Sequence, residues 1–207
     1  MAEVKDIFAD SKLVLRIKDK LPKLFHMAEL ESARAGKIGM EVGSLRERVI
    51  VALLIYKFGL TAVDTKLPIT EPEADVKLDG RKISVKTITG DGGVKAIWTV
   101  DAESAKRFID GYTPQCDIIL VKINWGSTEG GFYFIPLNVQ QEIFKRLGRE
   151  GYLKMPKAGT NPRGVEFSQD AIRAMTAHRS TLRIQIYWKK EASEYDTYKR
   201  WIDYWAE

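Results

Sequence analysis

The stretch EPEADVKLDGRKISVKT, residues 71–87, governs how the rest of the chain is read. Two runs in which polar and apolar side chains alternate, 74–78 and 82–87, flank Asp79-Gly80, a pair suited to the positive φ angles of a tight turn. The pattern predicts a β-hairpin. With Asp79-Gly80 as the loop, Leu78 stands opposite Arg81, Val76 opposite Ile83, Asp75 opposite Ser84 and Glu73 opposite Lys86. Successive side chains of a strand point to opposite faces. Val76, Leu78, Ile83 and Val85 therefore share an apolar face that packs on a core, while Glu73, Asp75, Lys77, Lys82, Ser84 and Lys86 share a polar one.

The polar face carries residue types suited to one kind of chemistry. Carboxylates are hard oxygen ligands for Mg²⁺, a cation that keeps several waters and takes one or two protein carboxylates plus a phosphate. A lysine beside them can orient, or help deprotonate, an attacking water. Set against a phosphodiester, the cation activates that water and stabilises charge on phosphorus and on the leaving oxygen. The bland alternative is that a charged hairpin face is simply the solvated side of an antiparallel sheet.

Asp75, followed at the next strand by Ser84-Val85-Lys86, resembles the PD-(D/E)XK nuclease signature. The chain departs from that signature where Pro72 does not directly precede the Asp and where Ser84 replaces the second acid. In several branches of the superfamily a Glu on a preceding helix supplies the missing carboxylate, a part that Glu47 matches; Glu73 is its rival. Further matches, GMEVGSLRERV (39–49), SVKT (84–87), WTVD (98–101) and GTNPRGVE (159–166), look like the ThaI family of type II restriction endonucleases, over nearly the whole chain. The resemblance implies a Mg²⁺-dependent homodimer of a restriction-modification system, acting on double-stranded DNA. It further implies recognition of the palindrome CGCG and a cut at its centre that leaves blunt ends. Asp75 and Glu47 would then hold the metal, with the backbone carbonyl of Val85; Lys86 would position the water, and Ser84 would offer its hydroxyl to a water at the metal. A structure-selective nuclease such as a junction resolvase would share this site, and a non-catalytic DNA-binding protein would need neither Asp75 nor Lys86.

Bulk properties agree with that class without selecting it. At 207 residues and 44% hydrophobic content the chain suits a single domain, 1–207, with a substantial core. The net charge of +5 is compatible with a polyanionic partner. Cys116 is the sole cysteine, which excludes an intramolecular disulfide and a cysteine-based zinc cluster and points to a cytoplasmic setting. No stretch reads as a signal peptide or approaches the roughly 20 apolar residues of a membrane span.

Taken in order, residues 11–34 carry apolar positions at helical spacing broken near Pro22, predicting two short helices or one kinked helix. His26 and His178 each lack a second histidine nearby and read as packing or surface residues. The loop 36–43 frames Ile38 and Met40 with glycines. Met40 is a candidate wedge between base steps from the minor groove, or else a cap on the core. Residues 44–58 predict a helix with a capping box, Ser44 as N-cap and Glu47 three residues on, ending at Gly59. Strands follow at 94–100, at 116–125 (buried on both faces, with Cys116 in the core) and at 130–136. Between and after them lie helices from Asp101 to about Ile109 and from Val139 to Leu147, the latter closed by Gly148. The segment 151–167 reads as a DNA-contacting loop: Arg163 suits guanine O6 and N7, Asn161 and Thr160 can support it, and Lys154 and Lys157 suit phosphates. A solvated basic loop is the alternative. A helix at 169–177, a strand at 181–189 and a helix at 191–206 complete the chain. The last carries Tyr195, Tyr198, Trp201, Ile202 and Trp205 on one stripe, which suits either the domain's own core or a dimer surface. The fold expected is α/β: a mixed central β-sheet flanked by helices, with a restriction-endonuclease-like core.

Overall fold

The computed structural model describes residues 1–34, 37–39, 41–68, 73–97, 101–154, 164–191 and 195–207. Its elements begin with α1 (Lys5–Ala9), α2 (Ser11–Ser32), β1 (Ala33–Arg34), β2 (Lys37–Ile38), α3 (Val42–Phe58), β3 (Val63–Asp64), β4 (Val76–Leu78), β5 (Arg81–Thr89) and β6 (Lys95–Ile97). They continue with α4 (Ala102–Gly111), β7 (Asp117–Ile123), β8 (Gly131–Ile135), α5 (Leu137–Tyr152), β9 (Leu153–Lys154), β10 (Val165–Phe167), α6 (Gln169–Ala177), β11 (Leu182–Ile184) and α7 (Lys199–Ala206). The main sheet has six strands in the order β11-β8-β7-β5-β4-β3, and a three-stranded sheet, β6-β10-β9, lies apart from it. The chain is thus mixed α/β, as expected.

The hairpin forms in the register read from the sequence: Leu78 pairs with Arg81, Lys77 with Lys82 and Val76 with Ile83. Asp79 (φ 46) and Gly80 (φ 83) both take the left-handed conformation, the turn whose twist matches that of paired strands. β5 then runs parallel to β7, from Ile83 beside Asp117 to Thr89 beside Ile123. Parallel neighbours need a long crossover, which β6 and α4 supply.

Because β7 is central, its alternating residues feed two cores. Ile119, Val121 and Ile123 join Val76, Leu78, Ile83 and Val85 in one cluster, covered by α1, α2 and α3. Ile118 and Leu120 join Ile88 in the other, with residues from α4, α5, α6 and the small sheet. Each fully buried Val or Ile contributes about 1.5–3 kcal/mol, so the layering α–β–α is held mainly by these two faces. Cys116 is buried, and burial pushes its thiol up to about 12, which leaves no nucleophile there.

Several elements differ from the expectation. α2 is one helix with Pro22 buried inside it. Its apolar stripe, Leu13, Ile17, Leu21, Phe25 and Ala28, continues unbroken past the proline, and the packing outweighs a penalty of about 3 kcal/mol. α3 starts earlier, at Val42, with Glu41 as N-cap and no side-chain cap, so the Ser44–Glu47 capping box does not form. Gly148 (φ 69) leaves the helical conformation and closes the helix that begins at Leu137, as expected, and a further short helical stretch runs on to Tyr152. β11 stops at Ile184, where its partner β8 begins at Gly131, although Ile186 and Trp188 stay fully buried. α7 is confined to Lys199–Ala206, and its stripe faces solvent, with Tyr198 70%, Ile202 60% and Trp205 91% exposed. Among the described residues no helix is long and apolar enough to cross a membrane.

Candidate active site

A fork between β4 and β5 builds the site. Ladder pairing ends at Val76 and Ile83, and the main-chain N–H of Asp75 still donates to the Ile83 carbonyl at 2.9 Å. The expected pairings of Asp75 with Ser84 and Glu73 with Lys86 are not made: Glu73 has φ 66, which turns the chain away. The edge of β5 from Ser84 onward therefore has no strand beside it on the β4 side, among the described residues. The Asp75 carboxylate fills that gap. Its Oδ2 accepts from the Val85 N–H at 2.7 Å, from Ser84 Oγ at 3.2 Å and from Lys86 Nζ at 3.2 Å.

Strand geometry explains the convergence. Ser84 and Lys86 are two apart on β5 and share a face, while the intervening Val85 sends its side chain into the core on the other face. The N–H and C=O of one residue point toward the same neighbouring strand. Since the Val85 N–H points at Asp75, its carbonyl opens on the same gap. All three donors fall on Oδ2; Oδ1 accepts no hydrogen bond from the described residues. The Asp75 side chain is 32% exposed and that of Lys86 15%, so the carboxylate is open to a ligand while the lysine stem is packed. Lys86 lines a small cavity together with Val94 and Phe167 of the second core, on the side where the small sheet sits.

Glu47 comes to this gap from α3. Burial pushes its carboxyl up to about 7, against the attraction of Lys86 and with the added repulsion of Asp75, so both residues lie within its electrostatic reach. With no capping box to serve, the side chain is not tied to the start of its own helix. Glu73 is also pushed up to about 7, first by burial, with Tyr112, the Gln115 backbone and then Lys86 acting to lower it. Among the described residues, Glu47 is the acid influenced by both Asp75 and Lys86.

One feature escaped the sequence reading. Arg46, next to Glu47, is buried and bonds Glu29 on α2 and, at 2.9 Å, Thr89 at the end of β5. Glu29 also accepts from Trp125 Nε1 at 2.8 Å and pairs with Lys190 at 2.7 Å. This network clamps the first turns of α3 to the end of the strand that carries Lys86. The sequence did hold a signal: Glu29 follows Leu21 and Phe25, and Arg46 precedes Ile50 and Leu54, at steps of four on the buried stripes of neighbouring helices. Opposite charges on two buried stripes announce a pair.

Of the DNA-contact candidates, Lys154 ends β9, is exposed, and lies 4.0 Å from Glu166 on β10. Met40, Lys157, Thr160, Asn161 and Arg163 lie outside the described residues. β9 and β10, which bracket 155–163, belong to the small sheet on the Lys86 side.

The donors at the fork are all oxygens: the carboxylates of Asp75 and Glu47 and the carbonyl of Val85. They suit a hard divalent cation that keeps water and meets a phosphate, and not a thiolate or imidazole metal. Among the described residues no group of three or more His, Cys, Asp and Glu could form a closed metal cage.

Comparison with known proteins supports the same class. A solved structure described as "Restriction endonuclease in complex with substrate DNA" is 55% identical, matches 98% of both chains and superposes with a TM-score of 0.90. A search of curated proteins gives no match. The family model for the restriction endonuclease ThaI matches residues 7–207. The chain belongs to the ThaI restriction endonuclease family, and is a site-specific DNA nuclease of type II.

Proposed function

We propose that this chain acts as a Mg²⁺-dependent homodimer in the cytoplasm that cuts double-stranded DNA at CGCG, between the central bases, leaving blunt ends. One observation carries the hydrolytic part: Asp75 Oδ2 is held by Val85 N–H, Ser84 and Lys86 while Oδ1 accepts no hydrogen bond from the described residues, and Glu47 lies within electrostatic reach of Asp75 and Lys86. Support for DNA as substrate comes from the family and from the relative solved with substrate DNA. Family membership removes the reason to keep the non-catalytic and resolvase readings.

In this proposal Asp75, Glu47 and the Val85 carbonyl hold the cation, which supplies charge stabilisation on phosphorus and a more acidic water. Ser84 and the Val85 N–H fix the Asp75 rotamer. Lys86 Nζ, anchored on Asp75 and packed along its stem, orients the attacking water in line with the scissile bond. Arg163 reads guanine, with Asn161 and Thr160 in support; Lys154 and Lys157 hold phosphates. Met40 wedges between base steps. A palindrome presents the same half-site twice, so a two-fold pair of protomers places one fork at each strand.

The test is a digest of DNA of known sequence with Mg²⁺, followed by sequencing of the ends. The proposal expects blunt ends at every CGCG and nowhere else. Staggered ends, another site, or nicking without sequence preference would overturn the specificity assigned here.

A further inference from the structure

α7 keeps large apolar side chains exposed to solvent. Its apolar stripe recurs at Tyr198, Ile202 and Trp205, and Tyr204 beside it is 68% exposed. At 150–250 Å² for an aromatic side chain, the exposed part of these residues comes to about 500 Å². That is near the largest apolar patch a monomer ordinarily shows to water.

A matching surface lies elsewhere on the chain. α2 and α3 pack side by side, and on their outer side Ile17, Leu24, Val49, Ala52 and Leu53 line a groove of about 310 Å³, with Arg16 over the Tyr56 ring at 5.2 Å and Lys20 also at its edge. Leu24 is 39% exposed and Tyr56 63%. The chain's own α7 does not cover it. Tyr195 bonds Glu31 and so ties the start of the tail to the far end of α2, about 10–20 Å along the helix from the groove.

We propose that α7 of one protomer lies in the α2–α3 groove of its partner, and the partner's α7 in return in the groove of the first. This rests on the homodimeric reading above and names its surface. Such a contact is isologous: each patch meets its complement twice across one two-fold axis. Counting both sides of both contacts, the buried area is about 1,200 Å², at the lower end of specific protein–protein interfaces. The groove is built partly from α3, the helix that carries Glu47, so the same contact braces the helix that reaches the active site.

Sedimentation velocity on the full chain tests this with two variants, Ile202→Glu with Trp205→Glu, and Leu24→Glu with Ala52→Glu. All four positions are exposed, so both proteins should fold, and a cooperative thermal melt with a wild-type far-UV circular dichroism spectrum verifies it. The expected result is a dimer for the wild type and monomers for both variants at the same concentration. A dimer in either variant overturns the exchange while leaving the nuclease reading intact. A wild type that stays monomeric, even with a CGCG duplex present, overturns the homodimeric reading itself.

Discussion

Arg46 and Glu47 are consecutive residues of one helix, yet they enter two unlike environments. Arg46 is enclosed with Glu29, and that carboxylate receives Arg46, Trp125 and Lys190. That buried carboxylate is met by two cations and an indole N–H, all supplied by the fold. Glu47 meets a second carboxylate, Asp75, and a single lysine, and its own carboxyl is driven up to about 7. That cluster has more acid than the fold supplies base. The first carboxylate is met by groups of the fold, and the second is left for the cation proposed above.

Removing the ammonium of Lys86 should have the largest effect. Lys86→Met should slow cleavage by roughly 10²–10⁴-fold, the usual contribution of a positioned acid–base group, with DNA affinity kept; single-turnover rates at saturating enzyme check it. Lys86→Arg should rescue little, because a planar guanidinium cannot take the place of a compact ammonium on Asp75.

Arg46→Met should act on stability. Leaving Glu29 buried without its guanidinium costs about 3–5 kcal/mol, read from denaturant unfolding. Adding Glu29→Met should recover most of that loss, since a well-packed apolar pair can replace a buried ion pair. If the clamp also seats α3, the double variant should fold well yet cleave more slowly than wild type.

Glu47→Gln should reduce cleavage by about 10²-fold and weaken cation binding, followed by calorimetry with Mg²⁺. In the metal-free protein it should also melt higher than wild type at pH 8. The sign follows from the raised carboxyl: between the ordinary value of 4.5 and about 7 the folded state holds a proton that the unfolded state has released. Stability from this group is present below about pH 4.5 and is lost as pH rises through 7, so the variant's advantage should vanish near pH 5. Glu73 has the same sign, and Glu73→Gln should give a similar but activity-neutral flattening of the melting profile.

How far these features were legible follows from how local their causes are. The hairpin register could be read because Asp79-Gly80 admits positive φ at both turn positions and alternation then fixes every pairing up to Ile83. Beyond Ile83 the pattern misled, since nothing local shows that Glu73 leaves the strand. The capping box failed for a similar reason. Ser44 and Glu47 have the right spacing, but α3 begins at Val42, and the Arg46 contacts to α2 and β5 span 17 and 43 residues of sequence. The C-terminal stripe was visible as periodicity, whereas its outward direction depends on packing that periodicity does not encode. The short α1 preceding α2 went unread because five residues hold too little pattern.

Hydrolysis at the fork should depend on the charge of Asp75. The most direct measurement is single-turnover cleavage of a CGCG duplex by Asp75→Asn, paired with its binding affinity for the same duplex. The amide keeps the size of the side chain and an acceptor for the Val85 N–H but removes the charge that holds a cation. The account predicts binding within a few-fold of wild type and cleavage slower by about 10³-fold or more, equivalent to about 4 kcal/mol of lost transition-state stabilisation. Cleavage at the wild-type rate would contradict it.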